Sequence, residues 1–155
     1  MKKVLYIVIT LGMVSTFAGA TWMKQLSDEQ CNSYAGDGDK KDVIRVGADR
    51  GCFSYFKRAK KICRKAGGRL PSVNDFKRLA SQCGFKVVDV GTEISPKSRE
   101  CLKKKGFTKS EGSEYFWTRN KKQGVPKYMI TVDIYTGDLS IGSSFGNRSS
   151  IHCIK

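Results

Sequence analysis

Histidine is almost absent from this chain, because His152 is the only one among 155 residues. General acid–base and nucleophilic catalysis usually recruit histidine, so its scarcity argues against both. His152 precedes Cys153 in an alternating β pattern, which directs the two side chains to opposite faces. We therefore predict a structural or surface role for His152 and no catalytic residue. A pair of carboxylates in a cleft, as glycosidases use, is a geometry that the sequence leaves open.

The chain also lacks an apolar run of the roughly 20 residues that a transmembrane helix needs. Its first apolar run extends from Val4 to about Val14, is interrupted by a threonine and a glycine, and follows two lysines. Residues 18–20 read Ala-Gly-Ala, which resembles an A-x-A cleavage site. We predict that residues 1–20 are a bacterial secretory signal peptide, that the mature chain begins at Thr21, and that no transmembrane segment follows. The predicted location is secreted or periplasmic.

The C-x-x-C and C-x-x-H spacings that indicate zinc or redox chemistry are absent as well. All the cysteines follow the predicted signal peptide, namely Cys31, Cys52, Cys63, Cys83, Cys101 and Cys153. An even count in an exported chain predicts three disulfides, for which about 15 connectivities are open. We predict no metal and no cofactor. The mature residues 21–155 are enough for a single domain, in which residues 21–51 form an N-terminal extension.

Acidic residues are scarce. The chain has 14 of them against 29 lysines and arginines, which gives a net charge of +15, and removal of Lys2 and Lys3 with the signal peptide leaves +13. Such a charge favours anionic partners and says nothing about the fold. The stretch from Arg50 to Asn74 contains eight basic residues and no acid, whereas the acids concentrate between residues 28 and 49.

Apolar and basic residues separate on a helical wheel over residues 56–66. The apolar side carries Phe56, Ala59, Ile62, Cys63 and Ala66, and the opposite side carries Lys57, Arg58, Lys60, Lys61, Arg64 and Lys65. Gly67-Gly68 ends this helix. The segment therefore predicts a short helix that has one apolar and one strongly basic face.

End signals predict two further helices. Ser72 and Asp75 form a capping box at the start of one, which Gly84 ends; Ser95-Pro96 starts the other, which Gly106 ends. The later part of the chain has aromatic or β-branched runs at residues 114–119, 127–134, 139–142 and 151–154, with a turn at Thr136-Gly137-Asp138. This order predicts an α+β fold of two to three short helices followed by an antiparallel sheet.

Several short motifs occur in a fixed order along residues 52–155. They are A-x-x-x-C at Ala59–Cys63, R-L-P-S at Arg69–Ser72, Tyr-Phe-Trp-Thr at residues 115–118, an aspartate strand closed by Thr136-Gly137-Asp138, and the terminal Ile151–Lys155. In this order they resemble the C-type-lectin-like fold, and within it the bacterial extracellular domains typified by the C-terminal domain of a collagen-like adhesin. The resemblance implies an adhesin-like, virulence-associated binding module, and the positive charge favours a polyanionic glycan or host surface as its partner.

The resemblance also implies a disulfide pairing. In C-type-lectin-like domains the cysteine of the first helix usually bonds to that of the last strand, which corresponds here to Cys63–Cys153. The N-terminal bridge of the long forms suggests Cys31–Cys52, which leaves Cys83–Cys101. The Cys63–Cys153 bond would close a loop of about 90 residues, and such a bond contributes on the order of 4 to 5 kcal/mol to stability.

The sequence departs from the calcium-dependent lectins where those bind sugar. Those lectins use a Glu-Pro-Asn or Gln-Pro-Asp tripeptide and a Trp-Asn-Asp strand, whereas this chain has Val125-Pro126-Lys127 and follows Trp117 with Thr118-Arg119. Three aspartates at residues 37–42 lack the glycine and glutamate of an EF-hand calcium loop. We therefore predict a surface loop at residues 37–42 and no calcium-dependent sugar binding.

Three clusters of basic residues form the predicted ligand-binding site. Lys57-Arg58-Ala59-Lys60-Lys61 has the B-B-x-B-B form common in heparin-binding segments, and both basic residue types make charge-assisted contacts with sulfate or phosphate. The site comprises Lys57, Arg58, Lys60, Lys61, Arg64 and Lys65, then Lys103, Lys104 and Lys105, then Arg119, Lys121 and Lys122. A solvated helix face is the alternative explanation for any one cluster.

These features predict a secreted, non-catalytic binding module that recognises an anionic surface such as sulfated glycan. Two alternatives stay open: a small secreted enzyme or enzyme inhibitor on the same scaffold, and a binder of extracellular nucleic acid or anionic lipid. Acids clustered in a cleft would favour the enzyme. A continuous basic surface without such a cleft would favour the binder.

Because the calcium-binding motifs are missing, we predict that millimolar calcium leaves the melting temperature of the mature protein unchanged. Thermal unfolding in calcium is to be compared with unfolding in the same concentration of magnesium and in a chelator. A rise of several degrees that is specific to calcium would contradict the prediction, since a ligand of the native state stabilises it by mass action.

Overall fold

A computed structural model of the protein describes residues 20–35, 52–107, 115–143 and 146–155. These residues form an α+β fold of four helices and five strands: α1 (Asp28–Ala35), β1 (Phe53–Tyr55), α2 (Phe56–Lys65), α3 (Val73–Gln82), α4 (Pro96–Lys104), β2 (Tyr115–Lys121), β3 (Tyr128–Asp133), β4 (Leu139–Ser143) and β5 (Arg148–Ser150). None of the helices in these ranges is long and apolar enough to cross a membrane. Residues 1–19 of the predicted signal peptide and the predicted loop at residues 37–42 lie outside the described residues.

The strands form one mixed sheet in the order β1-β5-β2-β3-β4. Antiparallel pairing joins β2 to β3, β3 to β4 and β1 to β5, whereas β5 runs parallel to β2. The prediction of an antiparallel sheet that follows the helices is therefore wrong in two respects: one strand pair is parallel, and one strand, β1, precedes α2. Because β5 pairs with β1 and not with β4, it lies beside β2 and runs parallel to it.

The prediction of two to three helices is also wrong, because α1 is a fourth. Ser27 and Gln30 form a capping box in which Gln30 N–H donates to Ser27 Oγ at 3.3 Å and Ser27 N–H donates to Gln30 Oε1 at 3.0 Å. The Cys31–Cys52 disulfide joins α1 to the start of β1, and Ala35 is buried. This helix is short and has little apolar periodicity, so its stability depends on the cap and the disulfide.

The three predicted helices begin and end where their signals lie. Gly67 follows α2 with a φ of 80°, which a glycine adopts without strain. The capping box of Ser72 and Asp75 is formed at α3, and the Ser95 hydroxyl accepts from Ser98 N–H at the start of α4. The predicted last strand differs, because β5 ends at Ser150, residues 151–153 belong to no strand, and Ile154 forms isolated bridges to Trp22 and Arg69.

Helices cover both faces of the sheet. Successive side chains on β2 point to opposite faces, so neighbouring residues of this strand pack against different helices. Phe116 packs in a cluster with residues of α3 and α4, and Trp117 packs in a second cluster with residues of α1 and α2. The first cluster includes Phe76, Leu79, Leu102 and Val132, and the second includes Cys31, Ala59, Ile62 and Met129. Each pair of helices thus has its own side of the sheet.

Three disulfides cross-link the domain. They join Cys31 to Cys52, Cys63 to Cys153 and Cys83 to Cys101, the pairs that the resemblance implies. Cys63–Cys153 links α2 to the C-terminal segment over a separation of 90 residues. Cys83–Cys101 links the end of α3 to α4.

Gly142 on β4 lies against the buried ring of Trp117, which yields a stability prediction. A Cβ at Gly142 would lie 2.9 Å from two indole carbons, and the Trp117 Nε1–H donates to the Ser54 carbonyl at 2.6 Å. We predict that Gly142→Ala lowers the free energy of unfolding by about 1 to 3 kcal/mol, because a tightly packed core must shift to admit the methyl group. Denaturant unfolding measures the difference.

Gly146→Ala is the matched control, since the nearest atoms to a Cβ there are 3.6 Å away. Its free energy of unfolding should stay within about 0.5 kcal/mol of wild type. Equal stability of the two variants would contradict the close contact between β4 and Trp117.

Candidate functional site

The predicted basic face of α2 points to solvent because the opposite side is fixed in the core. Ala59, Ile62 and Cys63 are buried, and Cys63 is bonded to Cys153. Five basic side chains of α2 are exposed and one is half-buried: Lys57, Lys60, Lys61, Arg64 and Lys65 are exposed, and Arg58 is half-buried. These six residues are called the α2 face. From Lys57 to Arg64 they span about 10 Å along the helix axis.

Lys61 of the α2 face contacts α1. Lys61 Nζ donates to the Ala35 carbonyl at 3.0 Å, and Ala35 is the last residue of α1. A cation at a helix C-terminus is favourable because it interacts with unpaired carbonyls and the helix dipole. Lys61 therefore stabilises the position of α1 on α2, whereas Lys60 lies 5.9 Å from the centre of the Phe56 ring on its own helix.

The second predicted cluster lies at the end of α4. Lys103, Lys104 and Lys105 are exposed. Lys104 and Lys105 follow Cys101 by three and four residues, so they share its side of the helix. Because Cys101 is bonded to Cys83 at the end of α3, that side faces α3. Lys103 lies on the other side of α4.

The third predicted cluster lies where β2 runs past the start of α3. Arg119, Lys121 and Lys122 are exposed. Arg119 N–H donates to the Pro71 carbonyl at 2.8 Å, and Val73 N–H donates to Asn120 Oδ1 at 2.9 Å. The second and third clusters thus both adjoin α3, one along its side and one at its N-terminus, while the α2 face lies on the preceding helix.

A cleft of about 630 Å³ opens between α3, the end of α4 and the N-terminal segment 20–24. Its basic lining residues are Lys24, Arg78, Lys104 and Lys105, and its other lining residues include Asp75, Leu79 and Gln82. We call it the cationic cleft. Sequence reasoning identified Lys104 and Lys105 but missed Lys24 and Arg78. Arg78 shares a helix stripe with Asp75 and Gln82, but no sequence signal brings Lys24 to that stripe.

Asp75 is the carboxylate among the described residues that line the cationic cleft, and it is fully engaged. Its side chain is 2 % exposed; Oδ2 accepts from Ser72 N–H and Oγ at 2.7 Å each and from Arg69 at 3.1 Å, and Oδ1 contacts Arg78. Burial by itself raises the pKa of Asp75, but these hydrogen bonds outweigh it and lower the pKa to about 2. Asp75 is therefore ionised and paired with two arginines.

An aromatic cluster that includes His152 lies beside the cationic cleft. The Trp22 ring packs 5.1 Å from Phe76, 5.0 Å from Phe107 and 5.4 Å from His152, and His152 stacks on Phe107 at 4.2 Å. His152 is 2 % exposed, and its Nε2–H donates to the Met23 carbonyl at 2.7 Å. Burial lowers the pKa of His152 to about 4, against the opposing effect of the Met23 hydrogen bond. The histidine is neutral and structural at neutral pH.

Comparisons of the chain with models of protein families, with curated proteins and with solved structures find no match. The C-type-lectin-like resemblance therefore stays a prediction. Among the described residues, no group of three or more His, Cys, Asp or Glu side chains is placed to hold a metal ion.

We predict that the free energy of unfolding falls as the pH decreases from 6.5 to 4 because of His152. Its native pKa of about 4 lies below the ordinary value of 6.5, so in this range the unfolded chain binds a proton that the native state does not. Stability from this group is complete above pH 6.5 and falls by about 3 kcal/mol towards pH 4. Denaturant unfolding at a series of pH values measures the loss.

The variant His152→Phe keeps an aromatic ring against Phe107 and removes the titrating group. It should be less stable than wild type at neutral pH, because Met23 loses its hydrogen bond. Its free energy of unfolding should nevertheless vary much less between pH 6.5 and 4, since the chain has no second histidine. The same pH slope in both proteins would contradict the assignment to His152.

Proposed function

We propose that this protein is an exported, non-catalytic binding module that recognises polyanionic surfaces such as sulfated glycans through the α2 face. The observation that carries the proposal is the placement of α2: one side is buried and bonded through Cys63 to Cys153, and the other presents a basic row to solvent. Residues 52–74, which contain α2, include no acidic residue.

A row fixed in this way suits a polymer of regularly spaced negative charges. The helix is already ordered before binding, so association does not have to overcome the entropy of forming it. Lysine and arginine make strong charge-assisted contacts with sulfate and phosphate, and each contact releases condensed counterions from the polymer. Several contacts over about 10 Å therefore act together.

Two observations favour binding over the alternative of catalysis on this scaffold. Asp75 is ionised and engaged with Ser72, Arg69 and Arg78, so it does not offer the proton that a glycosidase acid must donate. His152 is buried, and its proton is directed to the Met23 carbonyl. Neither side chain is placed as a general acid or base.

Export and a C-type-lectin-like scaffold belong to the same proposal. Three disulfides are typical of proteins from oxidising compartments, which supports a secreted or periplasmic location. The Cys63–Cys153 bond between a helix and the C-terminal segment supports the scaffold. The proposed partner is a sulfated glycan on a host surface; nucleic acid and anionic lipid share its charge and are distinguished by experiment.

The triple variant Lys57→Gln/Lys60→Gln/Arg64→Gln tests the α2 face and leaves Lys61 in place, because Lys61 contacts α1. We predict that this variant elutes from immobilised heparin at lower salt and binds heparin about tenfold or more weakly, since up to three phosphate-like contacts are lost. The slope of log affinity against log salt should fall by up to about three. Heparin titrations at several salt concentrations measure both quantities.

The matched control is Lys77→Gln/Lys86→Gln/Lys97→Gln, which removes the same charge from exposed positions outside α2. It should bind heparin nearly as wild type does. Equal weakening in both triple variants would show that only net charge matters and would refute the α2 face as the site. Competition with desulfated heparin, single-stranded DNA and phosphatidylglycerol vesicles identifies the polyanion, and stronger competition by DNA or vesicles would replace the glycan in the proposal.

A further inference from the structure

The cationic cleft carries an excess of positive charge that the α2 face does not include. Four cationic residues and one carboxylate line it, and that carboxylate, Asp75, is already paired with Arg69 and Arg78. Lys24, Lys104 and Lys105 are exposed on its walls. A concave site lined by one sign of charge focuses the electrostatic field and concentrates counter-ions.

The walls of the cationic cleft are fixed before any ligand binds. Cys83–Cys101 holds α4 against α3. The N-terminal segment is held by three hydrogen bonds: Met23 N–H donates to the Cys153 carbonyl at 3.0 Å, the Met23 carbonyl accepts from His152, and Lys155 N–H donates to the Thr21 carbonyl at 3.0 Å. Binding therefore does not require these elements to become ordered, which favours affinity.

The predicted site of signal-peptide cleavage lies in the same cleft. Ala20 and Thr21 both line it, and the A-x-A pattern predicts cleavage between them. Since the Thr21 carbonyl is hydrogen-bonded to Lys155, cleavage leaves the new α-ammonium group of Thr21 at the cleft wall. An α-amino group ordinarily has a pKa of about 8, so this group adds a further positive charge at neutral pH.

The volume of the cationic cleft and the chemistry of its lining residues indicate which class of ligand it suits. A volume of about 630 Å³ falls within the rough range of 300 to 1,000 Å³ that small-molecule sites occupy. Leu79 and Trp22 supply apolar surface and Gln82 an amide. Ammonium groups are compact, rotatable donors that surround a tetrahedral anion well, whereas the planar guanidinium of Arg78 is already committed to Asp75.

We propose that signal-peptide removal completes a second anion-binding site in the cationic cleft. In this site the Thr21 ammonium group, Lys24, Lys104 and Lys105 bind one sulfate or phosphate monoester group of a sugar-sized ligand. The site is separate from the α2 face; it rests on the export that belongs to the proposed function, but not on the polyanion binding proposed for that face.

The test uses the mature protein beginning at Thr21, with its N-terminus verified by intact mass. Glucose 6-sulfate and glucose 6-phosphate are titrated by calorimetry, with glucose as the uncharged control. We expect saturable binding of at least one ester and none of glucose, and the stronger ester identifies the anion. Absence of saturable binding for both esters would overturn the proposal.

Two lysine pairs on and directly after α4 locate the site. Lys104→Gln/Lys105→Gln should weaken ester binding by about tenfold or more, the order of effect expected when two charge-assisted contacts are lost. Lys97→Gln/Lys103→Gln removes the same charge from the same helix outside the cleft lining and should bind as wild type. Equal affinity of the two variants would overturn the site. If the first variant is destabilised in denaturant unfolding, Lys24→Gln serves in its place with the same expectation.

A short neutral Gly-Ser extension before Thr21 tests the N-terminus, because it moves the ammonium group out of the cleft. It should weaken ester binding several-fold, and unchanged affinity would remove that group from the site. The α2 triple variant should bind both esters as wild type does. A loss there that matched its loss of heparin binding would mean that the esters bind α2, which would refute the cleft site without refuting the proposed function.

Discussion

The C-terminal segment 151–154 is the constraint on which both candidate sites depend. Cys153 is bonded to Cys63 of α2, its carbonyl accepts from Met23, and Ile154 exchanges backbone hydrogen bonds of 2.8 and 3.0 Å with Arg69. One extended segment therefore holds the basic helix, the connection between α2 and α3, and the N-terminal segment of the cleft. The disulfide contributes on the order of 4 to 5 kcal/mol in the chain-entropy account. Loss of the disulfide would remove the covalent link between α2 and this segment.

The two adjacent glycines at the end of α2 show how closely this segment packs. Gly67 has a positive φ and ends the helix, which is a local requirement that the sequence predicts. Gly68 does not have a positive φ, yet a Cβ on it would lie 2.6 Å from both the Ile154 carbonyl oxygen and the Met23 sulfur. A glycine is needed at position 68 because two distant segments approach the backbone there. The sequence pattern indicates only that the helix ends at this pair of glycines, and does not distinguish the positive φ of Gly67 from the close packing at Gly68.

Local signals account for the helix ends that the sequence predicted, the resemblance accounts for the disulfide pairs, and long-range contacts account for what was missed. The ends of α2, α3 and α4 depend on caps within a few residues, so they were predictable. The Ser27 and Gln30 box was equally visible, but α1 was missed because its apolar pattern is weak. The parallel neighbour of β2 and the position of Lys24 beside α3 depend on pairings across the whole chain, as with Met23 and Cys153. For the candidate sites, the sequence shows which basic residues are clustered along the chain. It does not show which of them line the cationic cleft.

Where an anion can bind depends on which basic residues are paired with acids, and not only on how many basic residues there are. The described ion pairs engage arginines: Asp75 pairs with Arg69 and Arg78, and Glu93 pairs with Arg99. A planar guanidinium matches a carboxylate better than an ammonium group does, which suits arginine to these pairs with the buried Asp75 and the exposed Glu93. Lys57, Lys60 and Lys65 of α2 and Lys24, Lys104 and Lys105 of the cationic cleft are exposed. An exposed row suits a long polyanion through counterion release, whereas a concave cleft lined by cations suits a single compact anion because it focuses the electrostatic field.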